Sequence, residues 1–138
     1  TLARLESKSI VSLGEPNSRL EKKLGNCEIY GWLNAEERSK CMREAKMVVF
    51  SGGHGTCFEV IKHRKPSVCI PTQPEQMGNA RKLQELKCSI PAENEKQFLS
   101  ALMEIEEKME FYKQNVEELS RYSSKFLGLD RTVAVIEN

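Results

Sequence analysis

The run Ser51-Gly52-Gly53-His54-Gly55-Thr56 separates the apolar segment Met47-Val48-Val49-Phe50 from the helical stretch Cys57-Phe58-Glu59-Val60-Ile61-Lys62. Glycines in a strand-to-helix turn permit tight backbone geometry and the close approach of a ligand. A helix starting there presents unpaired backbone N–H groups and the positive end of its dipole, which suits a phosphate. The segment matches neither the Walker A pattern nor the dinucleotide fingerprint G-x-G-x-x-G. Glu59 has two readings. With Thr56 it fits a T-x-x-E capping box; alternatively, one turn into the helix, its carboxylate accepts two ribose hydroxyls. His54 either donates to a phosphate oxygen or is a loop residue at an unusual backbone angle.

A second polar stretch, Pro71-Thr72-Gln73-Pro74-Glu75-Gln76-Met77-Gly78-Asn79-Ala80, follows the next apolar run, Ser67-Val68-Cys69-Ile70. It therefore belongs at the same carboxyl edge of a sheet, where open α/β folds bind ligands. Glu75 and Gln76 set an acceptor beside an amide, a pairing suited to neighbouring sugar hydroxyls or simply to a polar loop opening a helix. The cysteines at 27, 41, 57, 69 and 88 show no C-x-x-C spacing. They fit neither a disulfide framework nor a zinc site and read as reduced thiols. Cys57 lies beside the glycine turn, but no His is placed as its base.

These residues need a scaffold that aligns them. Ser9 to Leu13, Cys27 to Trp32, Met47 to Phe50, Ser67 to Ile70 and Cys88 to Ile90 read as strands. Spacers of helical pattern between them imply βαβ units and a parallel sheet. Asn34 with Glu37 resembles a helix-opening capping box, and Asn94 with Gln97 caps another helix. The all-apolar run Met47 to Phe50 predicts a strand covered on both faces. The expected fold is α/β: a Rossmann-like parallel sheet flanked by helices, with a long C-terminal helical segment. Apolar residues there recur at Phe98, Leu102, Ile105, Met109, Tyr112, Val116 and Leu119. That spacing predicts one long helix or two shorter ones across the sheet, or else a seam for a homo-oligomer. Thr132 to Ile136 reads as a closing amphipathic turn or short helix.

Composition narrows the function classes. The 138 residues hold 21 Lys+Arg and 20 Asp+Glu, a net charge of +1 that excludes a bulk cationic grip on nucleic acid. With 39% apolar and 30% charged residues, the chain reads as globular rather than disordered. No apolar run approaches the roughly 20 residues of a membrane span. The expectations are one domain over 1–138, with a sheet core over 1–93 and helices over 94–138, in a cytoplasmic protein. The chain opens at Thr1 without a start Met, and a longer parent protein is expected.

In order, Gly52-Gly53, Thr56, Glu59, the Lys65-Pro66 break, Pro71 and Glu75-Gln76-x-x-Asn79-Ala80 resemble the donor half of GT-B glycosyltransferases. The nearest patterns are family 28 and the UDP-glycosyltransferases, with uncharacterised archaeal members of the first closest. The resemblance spans about Ser9 to Ile90. It implies that Gly52, Gly53, His54, Gly55 and Thr56 hold a diphosphate and that Glu59 binds the ribose. Glu75 and Gln76 would meet the donor sugar, with Asn79 supporting their loop. Trp32 and Leu33 match the base-binding position, where a π face suits uracil; otherwise Trp32 is a core or interface aromatic. Two departures stand out. Plant members carry His where this chain has Ser51, so the role of His54 does not transfer directly. Family donor domains also begin with a further strand and glycine-rich loop.

The implied reaction is an inverting transfer of a hexose or N-acetylhexosamine from a UDP-sugar to an acceptor hydroxyl. No metal or other cofactor is expected, and the general base would come from an N-terminal acceptor domain or a partner subunit. Two rival readings remain. One is a donor-binding subunit active only with a membrane-anchored partner, which would make the full assembly peripheral to a membrane. The other is a nucleotide-sugar-binding module without transferase activity, related to UDP-GlcNAc 2-epimerases.

Overall fold

The structure, a computed structural model, describes residues 6–126; the predicted turn at Thr132 to Ile136 lies outside them. The chain divides into two compact units, Thr1–Glu44 and Ala45–Asn138.

The first unit holds strands β1 (Ser9–Ser12), β2 (Glu21–Leu24) and β3 (Cys27–Tyr30), then helix α1 (Ala35–Glu44). Its sheet has the order β1-β3-β2, with β1 parallel and β2 antiparallel to β3. β2 thus makes this sheet mixed; the parallel sheet expected from sequence is the one in the second unit. Glu21-Lys22-Lys23-Leu24 is exposed throughout and shows no apolar alternation. It is held as a strand by the two-residue turn Gly25-Asn26, with Gly25 at φ 55°. Its lysines also make it a well-blunted edge. The capping box at α1 forms as predicted. Asn34 Oδ1 accepts from Glu37 N at 2.9 Å, and Glu37 Oε2 accepts from Asn34 N at 2.8 Å.

The second unit is built on a parallel sheet of β4 (Val48–Phe50), β5 (Ser67–Cys69) and β6 (Ser89–Pro91), in that order. Helices α2 (His54–Lys62) and α3 (Pro74–Glu85) are its crossovers, followed by α4 (Glu95–Glu107) and α5 (Met109–Ser123). The strand buried at every position is the central one, β5. Among the described residues β4 pairs only with β5, and Val49 stays 39% exposed, so the expectation of a doubly covered β4 is corrected. An apolar run marks a strand as core without telling the centre of a sheet from its margin.

The C-terminal segment is two helices broken at Lys108, not one. Asn94 Oδ1 accepts from Gln97 N at 2.9 Å and opens α4 as expected. Phe98, Ile105, Tyr112 and Val116 are buried, Ile105 and Val116 completely. α4 packs on β5 and β6, while α5 packs on α2. Across the break, Tyr112 Oη donates to Glu104 Oε1 at 3.0 Å. Burial, and then that bond, push the Tyr112 hydroxyl pKa up to about 12, and the same bond holds the Glu104 carboxyl below its usual range.

Both crossover helices end without glycine. After α2, Arg64 N donates to Ile61 O and Lys65 N to Val60 O, each at 3.0 Å, with Arg64 at φ 55°. α3 repeats the arrangement, with Lys87 at φ 56°. These are Schellman ends whose left-handed residue carries a side chain. Arg64 is exposed, so Arg64→Gly removes a left-handed cost of about 1–2 kcal/mol against an entropic loss of about 0.5–1 kcal/mol. We expect a higher urea midpoint for the variant; a lower one would contradict the strain.

Candidate functional site

The turn after β4 has the geometry its glycines suggested, and one of them is indispensable. Gly52 is buried at φ 90°. A Cβ there would lie 2.9 Å from Cys69 Sγ and 3.0 Å from Gln76 O. Only glycine lets the turn pass this close to β5 and α3. Gly53 is the N-cap of α2 at φ −63°, ψ 143° and gives no side-chain cap. A Cβ at Gly53 or Gly55 would meet nothing within 4 Å. The three glycines thus divide by role. One is packed against the fold, and two face open space.

Helix α2 begins at His54, so Thr56 is already inside it. The capping-box reading of Thr56 and Glu59 is therefore corrected: the N-cap lies three residues earlier than T-x-x-E requires. His54 is the first helical residue and exposed, which removes its reading as a loop residue at an unusual backbone angle. Cys57 N donates to Gly53 O at 2.9 Å, the first intrahelical bond. Among the described residues, no hydrogen bond takes up the N–H groups of Gly53, His54, Gly55 or Thr56. α1 and α4, by contrast, have theirs capped by Asn34 and Asn94. Several amides and the positive helix end therefore converge before α2. Glu59 is half-buried one turn further along.

The second polar stretch opens α3, with Pro74 in its first turn and Gln73 as N-cap. Glu75 is exposed, whereas Gln76 is only 9% exposed. Thr72 donates twice to Gln76 Oε1, from N at 2.8 Å and from Oγ1 at 3.1 Å. A backbone N–H only donates, so the amide orientation is fixed and Nε2 is its remaining donor. Asn79 Nδ2 reaches across to the glycine turn and donates to Gly52 O at 2.8 Å. Asn79 thus touches the turn after β4, and not only its own loop. Sequence reasoning did not find this bond or the Cys69 contact. The i, i+3 spacing of Gln76 and Asn79 was the available signal that both point the same way.

Cys57 is buried and its Sγ donates to Gly52 O at 3.5 Å. Burial pushes its thiol pKa up, and Cys69 rises to about 11 for the same reason. Both are packing thiols, protonated at neutral pH. No group of His, Cys, Asp or Glu among the described residues is placed to hold a metal ion. Trp32, 41% exposed, and half-buried Leu33 follow β3 in the first unit.

The glycosyltransferase family 28 C-terminal domain pattern matches residues 16–128. The chain belongs to that family. Its fold is shared with solved glycosyltransferases at low sequence identity. The glycotransferase of kitacinnamycin matches with TM-score 0.76 and 18% identity over 96% of this chain and 43% of its own. SsfS6 from Streptomyces sp. SF2575 gives 0.65 and 18% over 91% and 39%. SnogD from Streptomyces nogalater gives 0.61 and 19% over 93% and 37%. This family 28 domain therefore spans less than half the length of those chains. No curated protein matches its sequence. None of its described helices is long and apolar enough to cross a membrane.

Proposed function

We propose that this domain binds the nucleoside diphosphate of a sugar donor, and that it is the donor half of an inverting glycosyltransferase. The carrying observation is the segment 52–56, where packed Gly52 and open Gly53 lead into an uncapped helix whose first turn holds open Gly55, in a family 28 domain. Amides of Gly53 to Thr56, with the Thr56 hydroxyl and His54, would hold the diphosphate of a UDP-sugar. Glu59 would accept the ribose hydroxyls. At the start of α3, Glu75 offers an acceptor and Gln76 Nε2 a donor to the sugar.

During transfer of a hexose or N-acetylhexosamine, an acceptor hydroxyl attacks the anomeric carbon and the bond to the β-phosphate oxygen breaks. Negative charge then builds on the leaving diphosphate. Fixed amides and a helix dipole stabilise that charge without reorganising, which is how a preorganised anion site lowers a barrier. The base that takes the acceptor proton would lie in an acceptor domain or partner subunit. This chain alone is expected to bind UDP weakly and to transfer nothing.

Calorimetric titration with UDP and UDP-GlcNAc tests the proposal. Hydrogen bonds to a charged group are worth about 1.5–3 kcal/mol, so Glu59→Ala should weaken UDP at least about tenfold. Equal affinities for the two proteins would overturn the ribose assignment.

A further inference from the structure

The peptide between Gly52 and Gly53 is held from one side only, and its orientation governs what the turn presents. It is trans, so the Gly52 carbonyl and the Gly53 N–H point in opposite directions. The carbonyl is turned inward, where Asn79 Nδ2 donates to it at 2.8 Å and Cys57 Sγ, a weak donor, lies at 3.5 Å. The Gly53 N–H is thereby turned outward, toward the side where a Cβ on Gly53 would meet nothing. With glycine on both sides, reversal of this peptide meets little steric resistance from its own residues. The shortest hydrogen bond to its carbonyl comes from one amide, 27 residues away in the sequence.

We propose that Asn79 is a positioning residue that locks the 52–53 peptide, keeping the Gly53 N–H aimed at a bound diphosphate. It touches no ligand atom in this role. It acts through the carbonyl of Gly52, and α3 thereby couples the sugar-side loop to the phosphate-side turn. Gln76, one turn back on the same helix, fixes the Thr72 loop by accepting from its N–H and hydroxyl. Without Asn79 the inward carbonyl keeps only the thiol as partner. The peptide then samples the reversed state, in which a carbonyl oxygen, an acceptor, faces the anion.

This inference rests on the diphosphate-binding reading, and the test separates the two. UDP and uridine are titrated calorimetrically into the wild-type chain and Asn79→Ala, with thermal unfolding measured for both. Asn79→Asp, of the same shape but without the donor, is the second variant should the alanine protein not fold. The expected result is a loss of about tenfold or more in UDP affinity with uridine affinity unchanged, because only the diphosphate meets the reoriented amide. Equal UDP affinities in wild type and a folded variant would overturn the lock while leaving the diphosphate reading intact. A parallel loss for uridine would also overturn it, since that is the signature of general loosening. A wild type that binds UDP no better than uridine would overturn the diphosphate reading itself.

Discussion

Gly52→Ala is expected to destabilise the second unit severely, by about 3 kcal/mol, the sum of a left-handed backbone cost and an overpacked contact. At φ 90° an L side chain is strained whatever space surrounds it. Here there is no space. The new methyl would press on Cys69 Sγ at 2.9 Å and on the backbone oxygen of Gln76 at 3.0 Å. Neither neighbour yields easily: Cys69 is wholly buried in the central strand, and the other atom is part of α3. At this chain length the thermal midpoint should fall by about 10 °C. Gly53→Ala is the matched control. With a negative φ and nothing within 4 Å, it should change stability by less than about 0.5 kcal/mol. If the proposed function holds, its methyl enters the ligand space, and UDP affinity falls although the fold does not. A Gly52→Ala protein as stable as wild type would show both that residue 52 can leave its φ 90° conformation and that α3 can retreat from the turn.

Ile105→Ala should cost about 3–4 kcal/mol, within the range for deleting a large aliphatic side chain from a core. Ile105 is completely buried on α4, the helix that packs over β5 and β6. Met103 lies two residues away and is 71% exposed. Met103→Ala should therefore be nearly neutral, and the contrast between the two is read in urea unfolding. A loss below about 1 kcal/mol for Ile105→Ala would mean that α4 is an appendage rather than a wall of the core. The comparison bears on the apolar stripe that begins at Phe98. Its most regular members, Ile105, Tyr112 and Val116, are covered by this chain's own elements.

The candidate site was legible in sequence where the signal is local. Glycines before a helix, the Asn34 and Asn94 caps, and the alternation of apolar runs with helical spacers each act within a few residues. The folded chain keeps them because neighbouring residues impose the same local geometry in any context. The same logic explains the errors. Thr56 and Glu59 satisfied a capping pattern, yet the helix starts earlier, because amides with no side-chain cap can begin a helix wherever the preceding turn allows. β2 escaped notice because a charged edge strand needs no apolar face; its partner β3 and the turn at Gly25-Asn26 supply what its own residues lack.

By itself the sequence determined an α/β chain with a glycine turn poised before a helix, and the polar residues of a second loop at the same sheet edge. Tertiary structure decided which glycine is packed and which two are open, that Gln76 turns its oxygen toward Thr72, and that Asn79 reaches Gly52. Those assignments depend on how closely α3 approaches the turn after β4. α3 meets the turn directly, through Gln76 O beside Gly52 and the Asn79 amide on its carbonyl, and no pattern within either segment encodes that contact.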